Sequence, residues 1–160
     1  MVKGGDIMKY SPLGIKSEYT LLTSLIKIND LINFAKQNNI TALGLLDNNL
    51  NGVMEFFDSC VANDIKPIIG LKVRINDSNY YLYAKNYQGY LDLVKINNKI
   101  KLEEEISLGD LVSSQIYVVI PYEFKGNYEA LKNIKNSSDI YIAYTNLEEK
   151  NNLSLVTSNI

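Results

Sequence analysis

Two hydrophobic rhythms alternate along the chain. Short β-type runs, at 12–15, 41–47, 65–75, 80–85, 115–121, 140–144 and 153–158, read as strands. Between most of them apolar residues recur every three or four positions, the spacing of one helix face. Residues 30–38 place Leu31, Phe34 and Ala35 together and run into Asn38-Asn39, a helix stop. In residues 52–63 the apolar set is Val53, Phe56, Phe57, Cys60 and Val61, with Glu55, Asp58 and Ser59 turned outward. Residues 87–100 carry Tyr90, Leu91 and Val94 on one side, and 127–135 carry Tyr128, Leu131 and Ile134. The polar Asn76-Asp77-Ser78-Asn79 separates two β-type runs and predicts a hairpin turn.

Strands alternating with helices predict an α/β fold with a largely parallel sheet, open or closed into a barrel. In such folds chemistry collects at the carboxyl ends of the strands. No linker divides residues 12–160, which read as one domain behind a Gly-containing lead at 1–11.

Composition narrows the chemistry. Among 160 residues there is no histidine. That excludes a Ser-His-Asp triad, a Cys-His pair, a histidine general base and imidazole-built zinc sites. Sixteen basic against eighteen acidic residues give a net charge of −2, with no net pull toward nucleic acid or an anionic membrane. Arg74 is the sole arginine, so bidentate recognition of phosphate or guanine has little to work with. The single Cys60 cannot close an intramolecular disulfide and sits on an apolar helix stripe, which predicts an inert buried thiol and fits a reducing, cytoplasmic setting. No signal-peptide pattern is present, and no apolar run approaches the roughly 20 residues that span a bilayer.

Several segments invite a functional reading and then weaken it. Asp47-Asn48-Asn49-Leu50-Asn51-Gly52, with Asp58 twelfth, follows the oxygen spacing of an EF-hand loop. It leaves a strand rather than a helix, however, and Asp58 falls inside a helical pattern, so a βα turn is the better reading. Lys66-Pro67-Ile68-Ile69-Gly70 suits the start of a buried strand and lacks the glycines of a phosphate loop. Tyr80, Tyr81, Tyr83, Tyr87 and Tyr90 could stack bases, but without a basic groove they predict a hairpin packed on a helix. Lys95, Lys99 and Lys101 read as a solvated helix face, and 102–105 as an acidic loop.

Three segments together carry a resemblance. Residues 13–22, Leu-Gly-Ile-Lys-Ser-Glu-Tyr-Thr-Leu-Leu, resemble the opening Leu-His-x-His-Ser-Glu-Tyr-Ser-x-Leu motif of the PHP (polymerase and histidinol phosphatase) domain of bacterial DNA polymerase III alpha subunits. Residues 42–57, ALGLLDNNLNGVMEFF, are similar to its second motif, a strand ending Thr-Asp-His-Gly before a helix that begins Gly-x-x-Glu-Phe-Tyr. Residues 65–73 are similar to its third, Ile-Lys-Pro-Ile-Ile-Gly-x-Glu-Val, and 84–90 match the strand-to-helix step that follows. Residues 153–159 more loosely resemble a late barrel strand.

The resemblance implies a distorted seven-stranded βα barrel, TIM-like, with metal ions at the carboxyl ends of its strands. It also implies that the metal ligands are missing. The two motif-one histidines fall on Gly14 and Lys16, the histidine after Asp47 falls on Asn48, and the motif-three glutamate falls on Lys72. The family's later cysteine falls near Tyr122 and its late aspartate on Ile160. Gly14, Lys16, Asp47, Asn48 and Lys72 are thus vestigial metal-site positions, with no catalytic residue, metal or cofactor expected. Lys16, Lys72 or both then either place an ammonium beside Asp47 as an ion pair or extend into water.

By the same resemblance the chain is a catalytically inactive PHP domain, excised from a longer polymerase chain. Its expected partners are the rest of that alpha subunit and a proofreading exonuclease subunit, with neither nucleic acid nor membrane bound directly. Two alternatives are a carboxylate-metal phosphoesterase built on Asp47, Glu18 and Glu55, and an orphan PHP-derived binding module.

Overall fold

A computed structural model describes residues 10–20, 23–122, 139–144 and 146–151. The chain divides into two compact units, Met1–Ile69 and Gly70–Ile160. Strand β2 runs through the boundary.

The first unit holds helix α1 (Ile28–Gln37), strand β1 (Ala42–Asp47), helix α2 (Val53–Val61) and the start of β2 (Lys66–Ile75). Helix α1 buries Ile28, Leu31, Ile32 and Ala35, a set at i, i+3, i+4 and i+7. Asp30 in its first turn and Lys36 in its last complement the helix dipole. The Asn38 side-chain amide donates to the Phe34 carbonyl at 2.8 Å, and Asn39 then turns the chain with φ 53°. Phe34, expected on the buried face, is 54% exposed. Ile28, before the predicted segment, and Ile32, within it, complete the stripe with Leu31 and Ala35 and leave Phe34 outward.

Helix α2 buries Val53, Phe56 and Cys60, whereas Phe57 and Val61 of the expected stripe are exposed. Strand β1 is buried along nearly its whole length, so it reads as a continuous apolar run rather than an alternating one. The core of this unit is Ile28, Leu31, Ala35, Leu43, Leu45, Phe56 and Cys60.

The second unit holds the rest of β2, strand β3 (Ser78–Ala84), helix α3 (Tyr87–Lys101), a 3-10 turn (Leu108–Leu111), strand β4 (Ile116–Pro121) and strand β5 (Asp139–Ala143). The expected hairpin forms: Ile75 pairs with Ser78, Asn76 takes φ 52°, and the Arg74 guanidinium reaches Asp77 at 3.0 Å. Helix α3 is capped by Asn86, whose side chain accepts from the Gly89 amide at 3.0 Å. Its buried residues are Gly89, Leu93, Ile96 and Asn97, not the expected Tyr90, Leu91 and Val94, which are only half-buried. The helix packs on β3 and β4, over a core of Val73, Tyr80, Leu82, Leu93, Ile96, Ile116 and Val118.

The α/β class holds, but the seven-stranded βα barrel does not. The strands form a five-stranded mixed sheet in the order β1-β2-β3-β4-β5, open at β1 and β5 among the described residues. Strands β2–β3 and β3–β4 pair antiparallel, and β4–β5 pair parallel. Two connections depart from a parallel sheet: β4 returns antiparallel to β3 although α3 lies between them, and β2 and β3 are joined by the hairpin. A parallel neighbour needs a crossover of a dozen or more residues, and two residues between β2 and β3 permit only reversal.

Of the two remaining expected strands, 12–15 runs beside β1 with backbone bonds from Gly44 N–H to Pro12 and from Leu46 N–H to Ile15, yet only Ile15 opposite Leu45 forms a bridge. The other, 153–158, lies outside the described residues, as do the helix expected at 127–135 and Ile160. Among the described residues, no helix is long and apolar enough to cross a membrane.

Candidate functional site

The site is built at the carboxyl end of β1. Apolar Leu43, Leu45 and Leu46 draw the strand into the core, and the strand ends on Asp47, which is 1% exposed. A carboxylate placed there by its neighbours must be satisfied by donors, because an unpaired buried charge is costly. The donors come from the loop at residues 16–20. The Ser17 amide donates to Asp47 Oδ1 at 2.8 Å, the Ser17 hydroxyl to Oδ2 at 2.5 Å, and the Thr20 hydroxyl to Oδ1 at 2.5 Å. These are the short lengths of charge-assisted bonds. Ser17 and Thr20 are themselves 1% and 3% exposed.

The same loop is held from outside. The Ser24 hydroxyl donates to the Lys16 carbonyl at 2.7 Å and the Glu18 amide to the Ile26 carbonyl at 3.0 Å. From the turn after β1, the Asn49 side-chain amide donates to the Tyr19 carbonyl at 2.9 Å, while Asn49 Oδ1 accepts the Asn51 amide. These asparagines supply turn geometry, and Asp58 lies within α2, so the loop is the βα turn expected rather than a calcium loop.

Beside the turn opens a cleft of about 540 Å³ lined by Glu18, Tyr19, Asn48, Asn49 and Asn51. The Tyr19 hydroxyl donates to Glu55 Oε2 at 2.6 Å. That bond to a carboxylate, reinforced by its charge, holds the hydroxyl above its ordinary range of 10.0.

The five positions expected to be vestigial can now be placed individually. Gly14 is exposed, with open space where a side chain would begin. Lys16 is half-buried and Asn48 exposed, its Oδ1 accepting from Asn49. Lys72 lies on β2, within the unit that starts at Gly70, and Tyr122 follows β4 in that unit. Among the described residues no ion pair engages Asp47; two hydroxyls and an amide occupy the carboxylate where Lys16 was one expected partner.

A family-type metal cluster needs several lone-pair donors converging on one point. Asp47 already accepts three hydrogen bonds, Glu55 accepts from Tyr19, Gly14 offers no side-chain lone pair, and Lys16 brings an ammonium. Among the described residues no group of three or more His, Cys, Asp or Glu side chains could hold an ion. The residues present do not fit such a cluster. This applies equally to Asp47, Glu18 and Glu55 as the carboxylate trio of a phosphoesterase.

Sequence reasoning missed the roles of Ser17 and Thr20. The available signal was an acid at the end of an otherwise apolar strand, which demands donors, beside two short hydroxyl residues three apart in a motif already singled out.

Comparison with known proteins agrees with the motifs. The chain is 39% identical over 99 residues to the DNA polymerase III subunit alpha of Ureaplasma parvum serovar 3, covering 61% of this chain and 10% of that protein. It is 38% identical over 95 residues to the DNA polymerase III subunit alpha of Staphylococcus aureus strain N315, covering 56% of this chain and 9% of that protein. The chain therefore spans about a tenth of the length of these curated relatives. The PHP domain model matches residues 13–145, the stretch that contains Asp47 and all five strands, and the chain belongs to the PHP domain family.

Proposed function

We propose that this chain is a non-catalytic PHP module of a bacterial DNA polymerase III alpha subunit, serving DNA replication in the cytoplasm as a structural or protein-interaction part. The observation that carries this reading is the state of Asp47: the one acid at a vestigial ligand position is buried and fully engaged by Ser17 and Thr20. Ser17 is not a candidate nucleophile, since its buried hydroxyl donates to that carboxylate and no histidine exists to act as its base. On this reading nucleotidyl transfer belongs to other parts of the polymerase, and the module's partners are the remainder of the alpha subunit and a proofreading exonuclease subunit.

The test is elemental analysis of the purified protein together with a phosphoesterase assay on p-nitrophenyl phosphate with added Mn²⁺. Neither stoichiometric metal nor turnover is expected, and finding both would overturn the reading in favour of a carboxylate-metal phosphoesterase. Sequencing the gene beyond codon 160 addresses the partner: continuation into a polymerase supports the module, and a stop codon supports the orphan binding domain.

A further inference from the structure

We infer that Ser17, Thr20 and Asp47 form a metal-independent clasp, which fastens the loop at residues 16–20 to the carboxyl end of β1 and fixes the shape of the vestigial site. The inference builds on the reading of the site as metal-free.

A cluster of metal ions at strand ends does two mechanical jobs. It neutralises the carboxylates that face it, and it ties together loops that are distant in sequence. Both jobs are done here by protein donors. The Asp47 charge is met by three hydrogen bonds to its two oxygens rather than by a cation. The bonds join residues 30 and 27 positions apart, so each closes a long loop of the first unit. The donors form one connected network, because the Ser17 hydroxyl also accepts the Tyr19 amide at 3.2 Å and the Thr20 amide donates to the Ser17 carbonyl at 3.0 Å. All three side chains are withdrawn from water, which makes their pairing obligatory.

The pattern of change in the motif is consistent with this division. Relative to Leu-His-x-His-Ser-Glu-Tyr-Ser-x-Leu, the histidine positions carry Gly14 and Lys16, while the two serine positions carry the hydroxyls of Ser17 and Thr20. A site held by its fasteners can lose its ligands without losing its loop.

The experiment compares the chain with its Ser17→Ala, Thr20→Val and Asp47→Asn variants in thermal melts, with and without EDTA, and reads the Ser17 amide by hydrogen exchange. EDTA is expected to leave the wild-type midpoint unchanged, while Thr20→Val and Ser17→Ala each lower it by roughly 5 °C and Asp47→Asn lowers it further. Exchange at the Ser17 amide should rise at least about tenfold in Asp47→Asn, with amides of α3 unaffected. If Asp47→Asn fails to fold, Thr20→Val carries the same comparison. A midpoint lowered by EDTA would overturn both the clasp and the metal-free reading. Unchanged midpoints and Ser17 exchange across the variants, with EDTA still inert, would overturn the clasp alone.

Discussion

Gly52 lies against the ring of Tyr19, so closely that a Cβ added at Gly52 would stand 2.4 Å from Tyr19 Cδ2. The backbone there has φ −87°, which any residue adopts, so contact rather than backbone freedom demands glycine. The close approach seats the Tyr19 hydroxyl on Glu55 and forms one wall of the cleft. Gly52→Ala should therefore lower stability by about 1–3 kcal/mol, the cost of overpacking. Its effect should shrink markedly in a Tyr19→Leu background, because the two changes share one contact. Denaturant midpoints of the four species in the cycle check this; additivity would mean that the ring is not the obstacle.

A second close approach sets the rotation of α3. A Cβ at Gly89 would lie 2.0 Å from the carbonyl oxygen of Gln115, a backbone atom that cannot swing away. Alanine in a helix is favoured over glycine by about 1 kcal/mol from propensity alone. Here the clash outweighs that gain, and Gly89→Ala should destabilise by about 2 kcal/mol or more. A neutral or stabilising result in urea melts would show that α3 can slide on the sheet.

The same glycine explains part of what the sequence does and does not disclose. The turn at Asn76-Asp77 and the ranges of α2 and α3 were legible because each depends on neighbours in sequence: a polar run between two β-type segments, and apolar residues three or four positions apart. The face of α3 was not, since Gly89 carries no hydrophobic signal yet must point at the sheet to pass the Gln115 carbonyl. Sheet direction was misjudged for a similar reason. The hairpin was legible, but alternating strands and helices imply crossovers, and β4 instead pairs antiparallel with β3 although α3 lies between them. At the site, Asp47 was legible as a strand end, whereas its partners Ser17 and Thr20 are settled only by a contact about thirty residues distant.

Burial makes three groups, Cys60, Tyr80 and Tyr83, resist ionisation, with consequences at high pH. It pushes the Cys60 thiol from 9.0 to about 12. It also raises the Tyr83 hydroxyl from 10.0 to about 12, with a smaller contribution from Tyr81. In each case the folded chain keeps a proton that the unfolded chain releases, so stability is flat below pH 9 and falls as pH rises toward 12. Each group adds a slope of about 1.4 kcal/mol per pH unit within its window. Urea midpoints between pH 8 and 11 should fall first above 9, and in Cys60→Ala the onset should move to about 10, the ordinary tyrosine value. For the same reason the native thiol should react with a disulfide reagent far more slowly than the unfolded one.

At the acid end the sign reverses. Asp110 accepts from the Lys99 ammonium at 2.5 Å and from the Ser107 amide and hydroxyl at 2.9 and 3.0 Å, tying the 3-10 turn to the last turns of α3. The bond to Lys99, aided by those to Ser107, holds the carboxyl below its ordinary 3.8. A depressed carboxyl contributes stability that is fully present above pH 3.8 and is lost as pH falls through the lowered value. Asp110→Asn should cost about 1 kcal/mol at pH 7, the size of a lost cap. The gap between wild type and variant should close as pH falls below the lowered value, where both side chains are neutral. Urea melts of the two proteins from pH 7 down to pH 2 give the comparison directly. A gap that persists at pH 2 would assign the stabilisation to packing of the 3-10 turn through Leu111, which is fully buried, rather than to the charge on Asp110.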